Sequence, residues 1–339
     1  VSIPDVFYYF TTVISVNIVN DEQEITHESF LTGATALIYV SLSNMYLAIP
    51  NTNAWISLEA ITEETLIYRV KLDEEKIVLE AEGSVSGYVL NQFSMDEHDV
   101  FFRIATTEWT SESKNSLFIL DMDLNIVGSL ENIAPGERIY SARFINDRCY
   151  LVTFQQIDPF FVIDLANPYE PRILGELKIP GFSGYLHPYD ENHIIGVGKQ
   201  DNNVKLSLFD VTNVLVPIEL VPPYIVQGDW SDTTVLMDHK AFLFDKSKEL
   251  LALPISINSF GMTEDNYSTN NFWQGEYVFD INLIDGFVLK GNVTHQEDST
   301  DQWDSGYWVK RALYIDDILY TISDRKIKMN SLEDLALIN

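Results

Sequence analysis

Residues 140–154, YSARFINDRCYLVTF, followed by residues 159–180, PFFVIDLANPYEPRILGELKIP, decide the fold. Two apolar runs rich in Tyr, Phe, Ile and Val meet at Asn146-Asp147, and two more are joined through Asn167-Pro168. Branched and aromatic side chains fill a pleated surface, whereas Asn, Asp and Pro suit tight reversals. The segment therefore predicts four antiparallel strands separated by short turns.

The same grammar recurs on both sides. Downstream it reads YLHPYDENHIIGVGK, VKLSLFDV and PIELVPPYIV; upstream it reads FSMDEHDVFFRIATT, NSLFILDMD and NIVGSLENI. Further units start near Tyr39, Val235 and Arg311. Units of about 45 to 70 residues with four strands each match the blades of a β-propeller. The expected fold is all-β: a propeller of four-stranded blades, about six to eight when complete. Residues 1–339 are read as one such domain. Residues 1–33 supply a partial first blade through TTVISVNIV and EITHESFL, and the carboxyl terminus offers a whole blade in RALYIDD, LYTISD, KIKMNSL and ALIN. That count predicts further propeller sequence upstream.

Composition narrows the function. The chain has 339 residues, with 21 Lys and Arg against 51 Asp and Glu, a formal charge of −30. Such a surface repels phosphates, which argues against nucleic acid and anionic membranes as partners. Apolar residues make up 46%, ample for a core. No apolar run approaches the length of a spanning helix. The single cysteine, Cys149, lies in the apolar run CYLVTF and reads as core packing. Nucleophile-elbow, Walker and dinucleotide glycine patterns are absent.

Several long stretches carry a resemblance: GYVLNQFSMDE, APGERIYSARF, YLVTFQQIDPFFVIDL, LGELKIPGFSGYLHPYDENHIIGVGK, DHKAFLF and KRALYIDDILYTIS. They resemble a family of secreted, mainly archaeal proteins with a carboxyl-terminal β-propeller domain. The similarity runs from about residue 10 to residue 339 and departs mainly in loops, at 200–203 and 259–274. It implies an extracellular or cell-surface location and a signal or anchor with more propeller sequence upstream. It implies no reaction.

Blade grammar places the candidate site residues. Trp55, Trp109 and Trp273 are expected in connections between second and third strands, and Trp230, Trp303 and Trp308 in connections between blades. All six then belong to one loop face, and tryptophan is a preferred anchor at interfaces. First strands supply a polar ring around the central channel: Asn91, Gln92, Ser94, Arg138, Arg143, His187, Asp190, Asp238, His239, Lys310 and Arg311. Arg143 and Arg311 are expected to pair with carboxylates. His187, Asp190, Asp238 and His239 would make a divalent-metal site if they converged, and with it a metal-assisted hydrolase. His27, His98 and His295 read as surface or satisfied core histidines.

Residues 121–125, DMDLN, begin like a calcium loop, but Ile126 stands where the loop needs Gly and Asn132 where it needs Glu. A hairpin between third and fourth strands is the better reading, with the acidic turn at 96–99 a weaker place for calcium. Sequons at Asn266 and Asn292 permit glycosylation of an exported chain. Two functions follow as expectations. The first is a surface binding or scaffold module using the Trp face toward a protein, an envelope glycan or its own copies. The alternative is the hydrolase at the channel mouth.

Overall fold

The computed structural model describes residues 9–19, 24–32, 37–51, 63–72, 77–109, 112–154, 158–262, 268–297 and 303–338. The chain divides into two compact units, Val1–Gln155 with Pro159–Glu176, and Gln156–Asp158 with Leu177–Asn339.

Among the described residues the amino-terminal unit is built from antiparallel strands in chain order. A ribbon pairs Tyr9–Ser15 with Thr26–Thr32. The first sheet runs Leu37–Val40, Asn44–Pro50, Glu64–Leu72 and Ile77–Ser86. The second opens on a split strand, Tyr88–Val89 and Met95–His98, and continues through Phe101–Glu108, Lys114–Leu120 and Ile126–Ile133. The third is the segment quoted above, Arg138–Ile145, Arg148–Phe154, Asp158–Asp164 and Arg172–Ile179.

The other unit repeats the plan. Its first sheet, the fourth in order, runs Phe182–Pro188, His193–Gln200 and Asn203–Asp210, then splits its outer strand into Ile218–Glu219 and Tyr224–Ile225. Pro217, Pro222 and Pro223 cannot donate to a ladder, which accounts for the break. The fifth sheet opens on Trp230–Asp232 and Leu243–Asp245 and continues through Leu250–Met262, Ser268–Asn282 and Gly286–Val293. The sixth holds Arg311–Ile315, Ile318–Ile322 and Ile327–Ser331.

Inner strands are apolar on both faces because sheets stack face to face. Tyr46, Ala48 and Ile67 of the first sheet share a core with Phe102, Ile104, Phe118 and Leu120 of the second. Tyr46 and Phe102 are fully buried and stack at 4.0 Å, a contact that adds about 0.5–1.5 kcal/mol to simple burial. Cys149 lies in the next core layer, with Leu117, Ile119, Leu151 and Ile163. Outer strands such as Ile126–Ile133 mix exposed and covered positions, as a strand with a wet face does. Tight reversals fall on Asp99, Asn146, Asp201 and Asp316, all with φ near +50°, a conformation that Asn and Asp tolerate better than other side chains do.

Three boundaries differ from the sequence expectation. The fifth sheet begins at Trp230 rather than near Val235, its first strand interrupted by the short turns Thr234–Leu236 and His239–Ala241. Much of 259–274 is strand, not loop: Asn258 pairs with Phe272 and Phe260 with Asn270, so aromatic residues carry the hairpin through a polar composition. The last unit shows three strands, with Leu337 adding a single bridge to Asn330.

Candidate ligand-binding cleft

Strand parity builds the site. On the third strand of the fifth sheet, Phe272 and Gln274 share one face, and Trp273 takes the other, against Tyr277 at 5.4 Å. Gly275 leaves the room the Trp273 indole fills; a Cβ there would lie 2.8 Å from the ring. Phe272 then collects two tryptophans from the connection into the sixth sheet. Trp303 stacks on it at 5.5 Å, and Trp308 approaches at 5.1 Å.

Phe272 and Trp308 line a cleft of about 590 Å³ together with Trp230, which begins the first strand of the fifth sheet. Backbone ties hold the aromatic side in place. The Gln274 amide donates to the Val309 carbonyl at 2.7 Å and accepts from the Val309 N–H at 2.6 Å. Asp304 caps the turn Ser305–Tyr307 and receives Arg325 at 2.7 Å, and the Arg325 guanidinium lies over Tyr307.

The charged lining is paired. Lys199 meets Asp232 at 3.1 Å and lies 5.0 Å from the Trp230 ring. Arg311 donates to Asp238 at 3.2 Å, and Lys310 to Asp324 at 2.6 Å. Asp238 also caps the turn His239–Ala241 by accepting from the Lys240 N–H. The expected pairing of Arg311 with a carboxylate is thus present, and the carboxylate is Asp238.

The remaining sequence candidates lie elsewhere. Trp55 and Asn266 are outside the described residues. Trp109 follows Phe101–Glu108 in the amino-terminal unit, about half exposed, with Arg138 5.4 Å from its ring. Asn91 caps the turn Gln92–Ser94. Gln92 and Arg143 border a second cleft, of about 450 Å³, where the guanidinium lies 4.6 Å from the Phe93 ring. Ser94 is fully buried. Asn292 is exposed on the outer strand of the fifth sheet.

The metal quartet does not assemble. His187 Nδ1 meets the Tyr185 hydroxyl at 3.0 Å, with Phe242 and Phe244 against its ring. Asp190 instead holds His193 at 2.7 Å and Lys246 at 2.8 Å. Burial opposes its ionisation, but Lys246, the Asn192 N–H and His193 outweigh that and bring its pKa down to about 2. With Asp238 committed to a cap and to Arg311, no three His, Cys, Asp or Glu side chains among the described residues converge on a metal position. The calcium reading fails for a similar reason. Asp121 accepts from the N–H groups of Asp123 and Asn125, closing its own hairpin turn, and these bonds, led by Asn125, lower its pKa. Asp96 pairs with Arg103.

Two buried polar residues stand out, one of which, Glu276, carried no distinguishing sequence signal. His295 is fully buried between the hydroxyls of Thr321 and Ser323, both at 2.9 Å, a satisfied core histidine. Glu276 is fully buried, and neither of its carboxyl oxygens has a hydrogen-bond partner. In sequence it is one more polar residue in an alternating strand.

Residues 2–335 match the family model of the beta propeller domain. The chain belongs to that family. Its four-stranded antiparallel sheets are propeller blades. Two relatives are archaeal. An uncharacterised protein of Archaeoglobus fulgidus is 41% identical over 266 residues, covering 78% of this chain and 37% of the relative. One from Methanocaldococcus jannaschii is 39% identical over 248 residues, covering 68% and 39%. The propeller chain thus spans roughly two fifths of the length of these relatives. Among solved structures it is similar to the periplasmic gluconolactonase of Pseudomonas aeruginosa, with a TM-score of 0.45, 8% identity, and 97% and 94% of the two chains covered. The β-propeller domain of the Trilobed protease from Pyrococcus furiosus gives a TM-score of 0.38 at 12% identity, with 86% and 82% covered. No helix among the described residues is long and apolar enough to cross a membrane.

Proposed function

We propose that this propeller is a binding module of the archaeal cell surface whose recognition site is the aromatic cleft of the carboxyl-terminal unit. One observation carries the reading: Phe272, Trp308 and Trp230 line one cleft, and Trp303 stacks on Phe272. A cleft with convergent aromatic and polar groups is the general form of a ligand site. Trp303 is more than half exposed, and tryptophan left wet in this way is a typical anchor awaiting a partner. An acidic, Lys-poor surface and an exposed sequon at Asn292 fit an exported chain.

The test is cosedimentation of the purified chain with envelopes of the archaeon that carries it. Trp308→Ala and Trp303→Ala are expected to weaken association while far-ultraviolet circular dichroism and a cooperative urea transition show the fold retained. Undiminished association of both folded variants would remove this surface as the contact.

A further inference from the structure

The cleft also indicates the chemistry of what it binds, an inference that rests on the binding-module reading above. Each carboxylate of its lining has a cationic partner: Asp238 pairs with Arg311 and Asp324 with Lys310 inside the lining, and Asp232 pairs with Lys199 next to it. This is a neutral site on a chain of formal charge −30. An anion would approach against the whole-chain field and then face three carboxylates. A cation would have to displace Lys or Arg from pairs already formed, losing about as much as it gained. Neither sign of ligand is favoured.

An uncharged polyhydroxylated ligand suits every feature. The C–H face of a pyranose ring is apolar and lies flat on an indole, and the cleft offers the half-buried rings of Trp230 and Trp308 for that purpose, with Trp308 backed by the buried Phe272. Its hydroxyls both donate and accept. Paired carboxylates keep spare lone pairs and paired cations keep spare N–H groups, so Asp238–Arg311 and Lys310–Asp324 take up hydroxyls without any charge being stranded. Both pairs are partly exposed at the cleft. The volume of about 590 Å³ lies within the range of small-molecule sites and suits an oligosaccharide segment. Gln274, tied at both amide ends to Val309, sets the stacking surface before the ligand arrives, which lowers the entropy cost of binding. We infer that the cleft of the fifth and sixth sheets is a binding site for neutral saccharide.

Calorimetric and tryptophan-fluorescence titrations with maltotriose, cellotriose, mannotriose and chitotriose test this, with chitosan trimer and trigalacturonate as charged counterparts. At least one neutral sugar is expected to saturate the site with an affinity insensitive to added salt. Trp308→Ala is expected to weaken it about tenfold, the loss appropriate to one stacked aromatic. Met237→Arg provides a second handle, because Met237 lines the cleft yet is almost wholly exposed, so the substitution obstructs the site without touching the core. Absence of binding by all four neutral sugars, or binding confined to a charged trimer with an affinity that falls as salt rises, overturns the inference.

Periodate-treated envelopes separate this inference from the module reading. Association that depends on Trp308 but survives glycan oxidation would leave a binding module whose ligand is protein, and the saccharide inference falls alone. Association indifferent to both Trp308→Ala and Met237→Arg would overturn the two together.

Discussion

Glu276 offers the most direct test of the packing. It sits between Pro254 and Val293 on the neighbouring strands, neither of which has a side chain able to donate to it. Burial pushes its acid well above the ordinary carboxylate range. The folded state holds a proton that the unfolded chain releases above a pKa of about 4.3, so this group favours folding most at acid pH. As pH rises from there toward the folded value, stability is lost at up to about 1.4 kcal/mol per pH unit. The protonated acid still leaves polar atoms unpaired, at a further cost of about 1–3 kcal/mol.

Two substitutions separate these terms. Glu276→Gln abolishes the proton-linked part but keeps an unpaired amide; Glu276→Met removes both and preserves the length of the side chain. Urea midpoints measured from about pH 4 to about pH 8 should show both variants gaining on the parent as pH rises, by up to about 1.4 kcal/mol per unit. The Met variant should stand above the Gln variant by about 1–3 kcal/mol throughout. A Gln variant whose profile runs parallel to that of the parent would refute the reasoning, since the carboxyl would then have the same proton affinity folded and unfolded.

Other expectations follow from the same structure. His295 titrates in the opposite sense: burial first, then Lys328 and Lys326, lower its pKa to about 4, so stability falls as pH drops from about 6.5 toward 4, by about 3 kcal/mol in all. The acid limb of the urea profile should flatten in His295→Gln. Cys149 is fully buried, and burial raises its pKa to about 12, so iodoacetamide should alkylate it only at the rate of unfolding, as mass spectrometry under native and denaturing conditions will show. Gly198→Ala would place a Cβ 1.6 Å from the Phe182 carbonyl oxygen, and the fourth sheet should lose more than about 3 kcal/mol by urea denaturation. Gln274→Leu strands two backbone groups of Val309; a loss of about 1–3 kcal/mol and an altered near-ultraviolet tryptophan signal are expected.

What the chain alone determined is local. Apolar runs of strand length, broken by Asn146-Asp147 and Asn167-Pro168, specify four strands, and the third sheet follows that pattern strand by strand. The DMDLN hairpin was legible for the same reason, because Asp121 bonds to residues two and four positions away. The cleft was not. Phe272 and Trp273 are equivalent as letters; only the pairing of Asn258 with Phe272 decides which ring faces the cleft and which faces Tyr277. Trp308 reaches Phe272, and Arg311 reaches Asp238, across 36 and 73 residues of chain. Such partners are chosen by the stacking of one sheet on the next, and no local rule encodes them. The quartet of His187, Asp190, Asp238 and His239 failed on this point. Carboxylates bond to whichever donors the tertiary structure places within 3 Å or so, and those were His193, Lys246 and Arg311.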